Sequence, residues 1–253
     1  MQKFRGPPHE VEYSEEDFER LFSAFYNNPY TLNQNAFRLI DLTQIAKCYR
    51  ALPALSRTLD GAIHRSPEFV WSLFENNNAS WLLETAVQLR SAKLFRECLI
   101  LTLGPWHEPA FKTLGDLRLK KLAQNVYNGI AAKISAAHAY LAVSMARLEN
   151  VAQRSPKSKF MKYYMVDAAL VTLRDASDEA GRQSNSLPVY YRKLYDVSWE
   201  EESPFKHLLD PIFSNNLTLI KDAEAGKGPF ENYFLCGEIE DEDLPWDINE
   251  EEW

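Results

Sequence analysis

The side chains in this chain best suited to moving a proton, holding a metal or attacking a carbonyl are its five histidines and three cysteines. His9, His64, His107, His138 and His207 are scattered, and none lies one helical turn from another or from Cys48, Cys98 or Cys236. Metal ligands need closely spaced partners, so no metal residue is assigned. Trp106-His107-Glu108 sets an imidazole beside a carboxylate, an acid/base pair by composition, and His138 lies among alanines. An enzyme whose site is assembled from dispersed residues, with His107 or His138 in it, is therefore kept as an alternative. The chain has no Gly-x-Ser-x-Gly elbow, and its nine glycines never cluster as a phosphate loop requires. Cys98 sits between Phe95 and Leu101 on an apolar helical face, where a thiol acts as a small hydrophobe. No catalytic residue and no cofactor is assigned.

A different chemistry is concentrated at the C-terminus. Residues 238–253 hold nine of the 36 acidic residues and no Lys or Arg, so the rest carries 27 acids against 28 basic residues. The net charge of -8 therefore resides in the tail. Such a stretch repels itself and stays solvated unless something docks it. Glu240-Asp241-Glu242-Asp243-Leu244-Pro245-Trp246-Asp247 is either a solubilising tail or a docking segment. In the second case Leu244 and Trp246 are apolar anchors, with acids such as Asp243 and Asp247 steering toward a basic protein partner. The basic patches are small: Arg118, Lys120 and Lys121, then Arg154, Lys157, Lys159 and Lys162. They would neutralise only three or four phosphates, so no nucleic acid is expected. They could instead receive the acidic tail.

These residues need elements to position them, and the patterning is helical. The 253 residues are 45% hydrophobic and 25% charged, ordinary for a globular chain, and nine glycines are too few for a turn-rich β fold. Ser14-Glu15-Glu16-Asp17 reads as an N-cap before Phe18, Leu21, Phe22 and Phe25. Further helices are expected over 35–51, 53–64, from Ser66-Pro67 to Phe74, over 81–89 and over 94–101, where Gly104-Pro105 stops the run. From 115 to 152 apolar residues recur every three or four positions, giving one long helix. Its Ala131, Ala132, Ala136, Ala139 and Ala142 would admit a close neighbour, and a structural helical oligomer is a second alternative. A linker at 155–159, a helix over 160–181 and short helices near 188–197 and 204–215 complete the pattern. Tyr233-Phe234-Leu235-Cys236 is too short to type. The expected fold is mainly all-α, a multi-helix array or bundle with an acidic irregular tail. The N-terminus has no signal-like apolar region, no run approaches the ~18 residues of a membrane span, and the odd, dispersed cysteines suit a reducing compartment. A cytoplasmic or nuclear protein with no membrane partner is the expectation.

The run from Asp41 to Leu55, with Tyr49 and Leu52 in it, resembles the late helices of BTB/POZ domains. Residues 16–26 look like the helix that closes on the same domain. Leu89 to Cys98 with Leu103-Gly104-Pro105-Trp106, and Tyr233-Phe234-Leu235-Cys236 with residues 241–247, are similar to fungal BTB-domain-containing proteins. The resemblance implies a partial BTB-like segment over 1–65, a BACK-like helical domain over 66–237 and the acidic tail over 238–253. The strands that open a BTB domain have no counterpart, so a homodimer through the family's usual surface is not implied. What it implies in function is a non-enzymatic adaptor with protein partners, a cullin-type scaffold among them. Tyr49 and Leu52 become contact residues on this basis, although their place on an apolar face also suits core packing.

Overall fold

The computed structural model describes residues 14–151, 186–197 and 204–248, and among them the regular structure is helical with no strand. Helix α1 (Glu15–Phe25) starts where the hydroxyl signature places it: Ser14 Oγ accepts from Asp17 N at 3.3 Å, and Ser14 N donates to Asp17 Oδ2 at 3.2 Å. This reciprocal cap satisfies two backbone donors that no helix turn can reach. Asp17 is buried, and the Arg38 guanidinium lies 3.6 Å from both Asp17 and Asp41, tying α1 to α2 (Phe37–Cys48).

The array continues with α3 (Leu52–His64), α4 (Pro67–Ser72), α5 (Asn78–Gln88) and α6 (Ala92–Thr102). Pro53 and Pro67 occupy first-turn positions, where a missing N–H costs nothing. Three helices end on a left-handed residue that is not glycine: Asn27, Arg50 and Arg90. In each case the next residue donates back across the turn, Asn28 N to Ser23 O, Ala51 N to Ala46 O and Ser91 N to Ala86 O, at 2.7–3.0 Å. This is the Schellman closure, and it accounts for tight inter-helix turns in a chain with few glycines. Because Arg50 takes the left-handed position, α2 stops at Cys48 rather than running to residue 51.

Helix α7 (Leu117–Val151) is the long element, within two residues of the bounds expected from periodicity. It buries Leu119, Ala123, Ile130, Ile134 and Ala137, while Ala132, Ala136 and Ala139 face outward. Helices α8 (Leu187–Val197) and α9 (Pro204–Phe213) follow, with α9 lying against both α7 and α8. The linker at 155–159, the helix over 160–181 and the basic residues Arg154, Lys157, Lys159 and Lys162 lie outside the described residues.

Among the described residues after α9, 214–248, there is no regular structure apart from short 3-10 turns at Gly228–Phe230 and Asp241–Asp243. This stretch is nevertheless part of the core: Leu217, Ile220, Phe230, Phe234, Leu235, Cys236 and Leu244 join one buried cluster that begins at Leu21. Two close approaches hold this strap to the helices. The Tyr233 ring lies where a Cβ on Gly104 would have to be, and Gly237 passes within van der Waals reach of Leu103, Val126 and Ile100.

Candidate functional site

Helix α1 buries Asp17, Leu21 and Ala24 on one side. Its other side is aromatic: Phe22, Phe25 and Tyr26 are 61%, 59% and 69% exposed. Phe18 is half-buried one turn earlier, and its ring meets Tyr49 edge-on at 6.0 Å, which brings the end of α2 into the same face. Positions 18, 22, 25 and 26 fall on one stripe of a helix, since residues three and four apart are neighbours. Phe25 and Tyr26 stand edge to face at 5.6 Å. Tyr49 is 67% exposed because it caps α2 and leaves the packed face at the turn. Leu52, the first residue of α3, is half-buried against the core. Phe22 and Phe25 carried no functional signal in the sequence, because α1 is apolar on both sides and periodicity could not say which side the core takes.

The acidic segment is seated on the protein's own helices. Leu244 is 7% exposed, and the half-buried Trp246 ring stands edge-on to Phe95 of α6 at 5.5 Å. Arg96 donates through Nε to the Ile239 carbonyl at 3.0 Å and pairs with the Asp241 carboxylate. Lys133 of α7 meets Glu238 at 2.6 Å. The cations that receive the acids are therefore Arg96 and Lys133. Arg118, from the small basic patch, pairs with its neighbour Asp116 at 3.4 Å. Asp243 is exposed and accepts from Glu240 N at 3.0 Å within the 3-10 turn, and Asp247 is exposed. The two expected apolar anchors thus point inward, into the protein that carries them.

Glu97 is a group the sequence did not single out. Its fully buried carboxylate accepts the amides of Thr218 at 2.7 Å, Leu219 at 3.0 Å and Ile220 at 3.2 Å, and the Thr218 hydroxyl at 3.3 Å. Burial pushes its pKa up, and the amide donors pull part of that shift back. Its role is to hold the start of the strap against α6.

An open cleft of about 770 Å³ lies between α3, α4 and the strap, with His64, Trp71, Lys93 and Lys227 in its wall. Both lysines are already paired, Lys93 with Asp60 at 3.3 Å and Lys227 with Glu224 at 2.8 Å. His107 and His138 are exposed and do not line this cleft, and the His138 ring stands edge-on to Tyr191 at 5.3 Å. Among the described residues no group of three metal-ligating side chains forms, and no helix is long and apolar enough to cross a membrane. No family model, no curated protein and no solved structure matches the chain.

Proposed function

We propose that the protein is a non-enzymatic interaction module of the adaptor type, and that it receives a protein partner on the aromatic face formed by α1 and Tyr49. The observation that supports this is the exposure of Phe22, Phe25, Tyr26 and Tyr49, each 59–69% open to solvent at one end of the helical array. Fully burying one such side chain is worth about 1.5–3 kcal/mol, so a surface that covers several gains enough to bind. Exposed aromatic side chains grouped on one face are the kind of anchor that protein partners cover, which supports this reading. The adaptor class, and a cullin-type scaffold as one kind of partner, come from the likeness of residues 41–55 and 89–106 to BTB-type proteins.

The test is capture of proteins from a cell extract by the intact chain and by a Phe22→Ser/Tyr26→Ser variant. Both side chains are mostly solvated, so the variant keeps its melting temperature, with each change costing within about 0.5 kcal/mol. Proteins lost from the variant's capture support the proposal. Identical capture by both chains overturns it.

A further inference from the structure

The seat of the acidic segment has the features of a peptide-binding site with its ligand in place. Residues 238–248 meet the helices through one carbonyl, two carboxylates and two apolar side chains: Ile239 O and Asp241 on Arg96, Glu238 on Lys133, Leu244 in the core and Trp246 on Phe95. The segment's own backbone bonds are local, Asp243 N to Glu240 O and Leu244 N to Asp241 O, both 3.2 Å. This division, with side-chain anchors in pockets and charges at the rim, is how helical domains take short linear segments. The fit is also incomplete on one side. An open pocket of about 230 Å³ lies between the segment and α7, bordered by Val126, Ile130, Lys133, Glu238 and Asp243.

We infer that the face of α6 and α7 beneath residues 238–248 is a binding site for short acidic peptides bearing a Leu-Pro-Trp sequence, and that the chain's own segment occupies it as an intramolecular competitor. The ligand in trans is a partner protein's segment of that chemistry. Charge complementarity selects it, since Arg96 and Lys133 flank an apolar floor made by Phe95 and the Leu244 seat. Tethering raises the effective concentration of the resident segment to the order of millimolar, so a foreign segment must outcompete it or arrive when it is released.

The experiment uses full chains and two fluorescein-labelled peptides spanning residues 238–248, one native and one carrying Glu238→Arg and Asp241→Arg. Three chains are titrated by anisotropy: the native chain, an E238R/D241R chain whose tail is repelled from an intact site, and an R96E/K133E chain whose site is reversed. The Glu238 and Asp241 side chains are 66% and 59% exposed, so reversing them introduces no buried charge or clash of its own. The expected result is that the E238R/D241R chain binds the native peptide at least about ten-fold more tightly than the native chain does. The R96E/K133E chain takes the reversed peptide and rejects the native one. Absence of peptide binding to the E238R/D241R chain, or binding indifferent to Arg96 and Lys133, overturns the assignment. So does loss of the folded helical signal in the E238R/D241R chain, because the segment would then be a structural staple. A doubled mass in light scattering also overturns it, in favour of tail exchange between copies.

Discussion

Replacing Glu97 with Gln tests how the strap is held. The change is nearly isosteric, so cavity effects are small, and what alters is charge and hydrogen-bond direction. One carboxylate oxygen accepts from Thr218 and Leu219 and the other from Ile220. Whichever position the Gln amide nitrogen takes, at least one amide N–H of the strap then faces a donor. A hydrogen bond to a charged acceptor contributes about 1.5–3 kcal/mol net, and the bonds that survive lose their charge assistance. Relief of the buried charge more than offsets the lost charge assistance, because burial pushes the Glu97 carboxyl above its ordinary 4.5, so the loss comes from the strap N–H left facing a donor. The expected net loss near neutral pH is about 2 kcal/mol, read as a lower urea midpoint with unchanged slope. Hydrogen exchange at residues 218–220 should accelerate. The pH dependence carries the sharper test. A folded-state pKa above the unfolded value means that the native state holds this proton more tightly, so the contribution is greatest below 4.5 and falls as pH rises through the folded value. The stability gap between native and Glu97→Gln chains should therefore narrow as pH rises from 4.5. A gap that widens would refute the reasoning, by showing that the three amide donors outweigh desolvation.

Three further outcomes follow from packing. Leu244→Ala removes a core side chain of the strap and should cost about 2–3 kcal/mol in urea unfolding, whereas a solvated tail would show no change. Gly104→Ala places a methyl group against the Tyr233 ring and should destabilise by about 2 kcal/mol through the shift it forces; a neutral result would mean the strap moves freely there. Of the three free cysteines, Cys98 and Cys236 are buried, with the Cys98 thiol pushed well above its ordinary value and Cys236 up to about 11. At pH 8 a thiol reagent should titrate Cys48 rapidly in the folded chain and all three cysteines after unfolding; rapid labelling of a second thiol would contradict the packing.

The helices were legible because their signals are local. Ser14 with Asp17, Pro53, Pro67 and the three-to-four spacing of α7 each act within a turn or two, so propensity, caps and periodicity place the elements to within a few residues. The end of α2 was misplaced for an equally local reason. A left-handed Arg50 leaves no mark in the sequence comparable to glycine, and it moved Tyr49 off the packed face into solvent. For α1 the stripe of aromatics was visible, but its direction was not: with Leu21 and Ala24 opposite Phe22 and Phe25, either side could have faced the core.

The sequence by itself determined an all-α chain, its capped helices and an acidic C-terminal segment with two apolar anchors. Only the tertiary structure decided where those anchors go. Arg96 finds the Ile239 carbonyl 143 positions away, and Glu97 finds the amides of Thr218, Leu219 and Ile220 at separations of 121 to 123. No periodicity or spacing rule reaches across such distances. The pairing exists because α6 and α7 present a buried carboxylate that needs donors and half-buried cations that need acids. The segment that carries both is the one drawn back onto them.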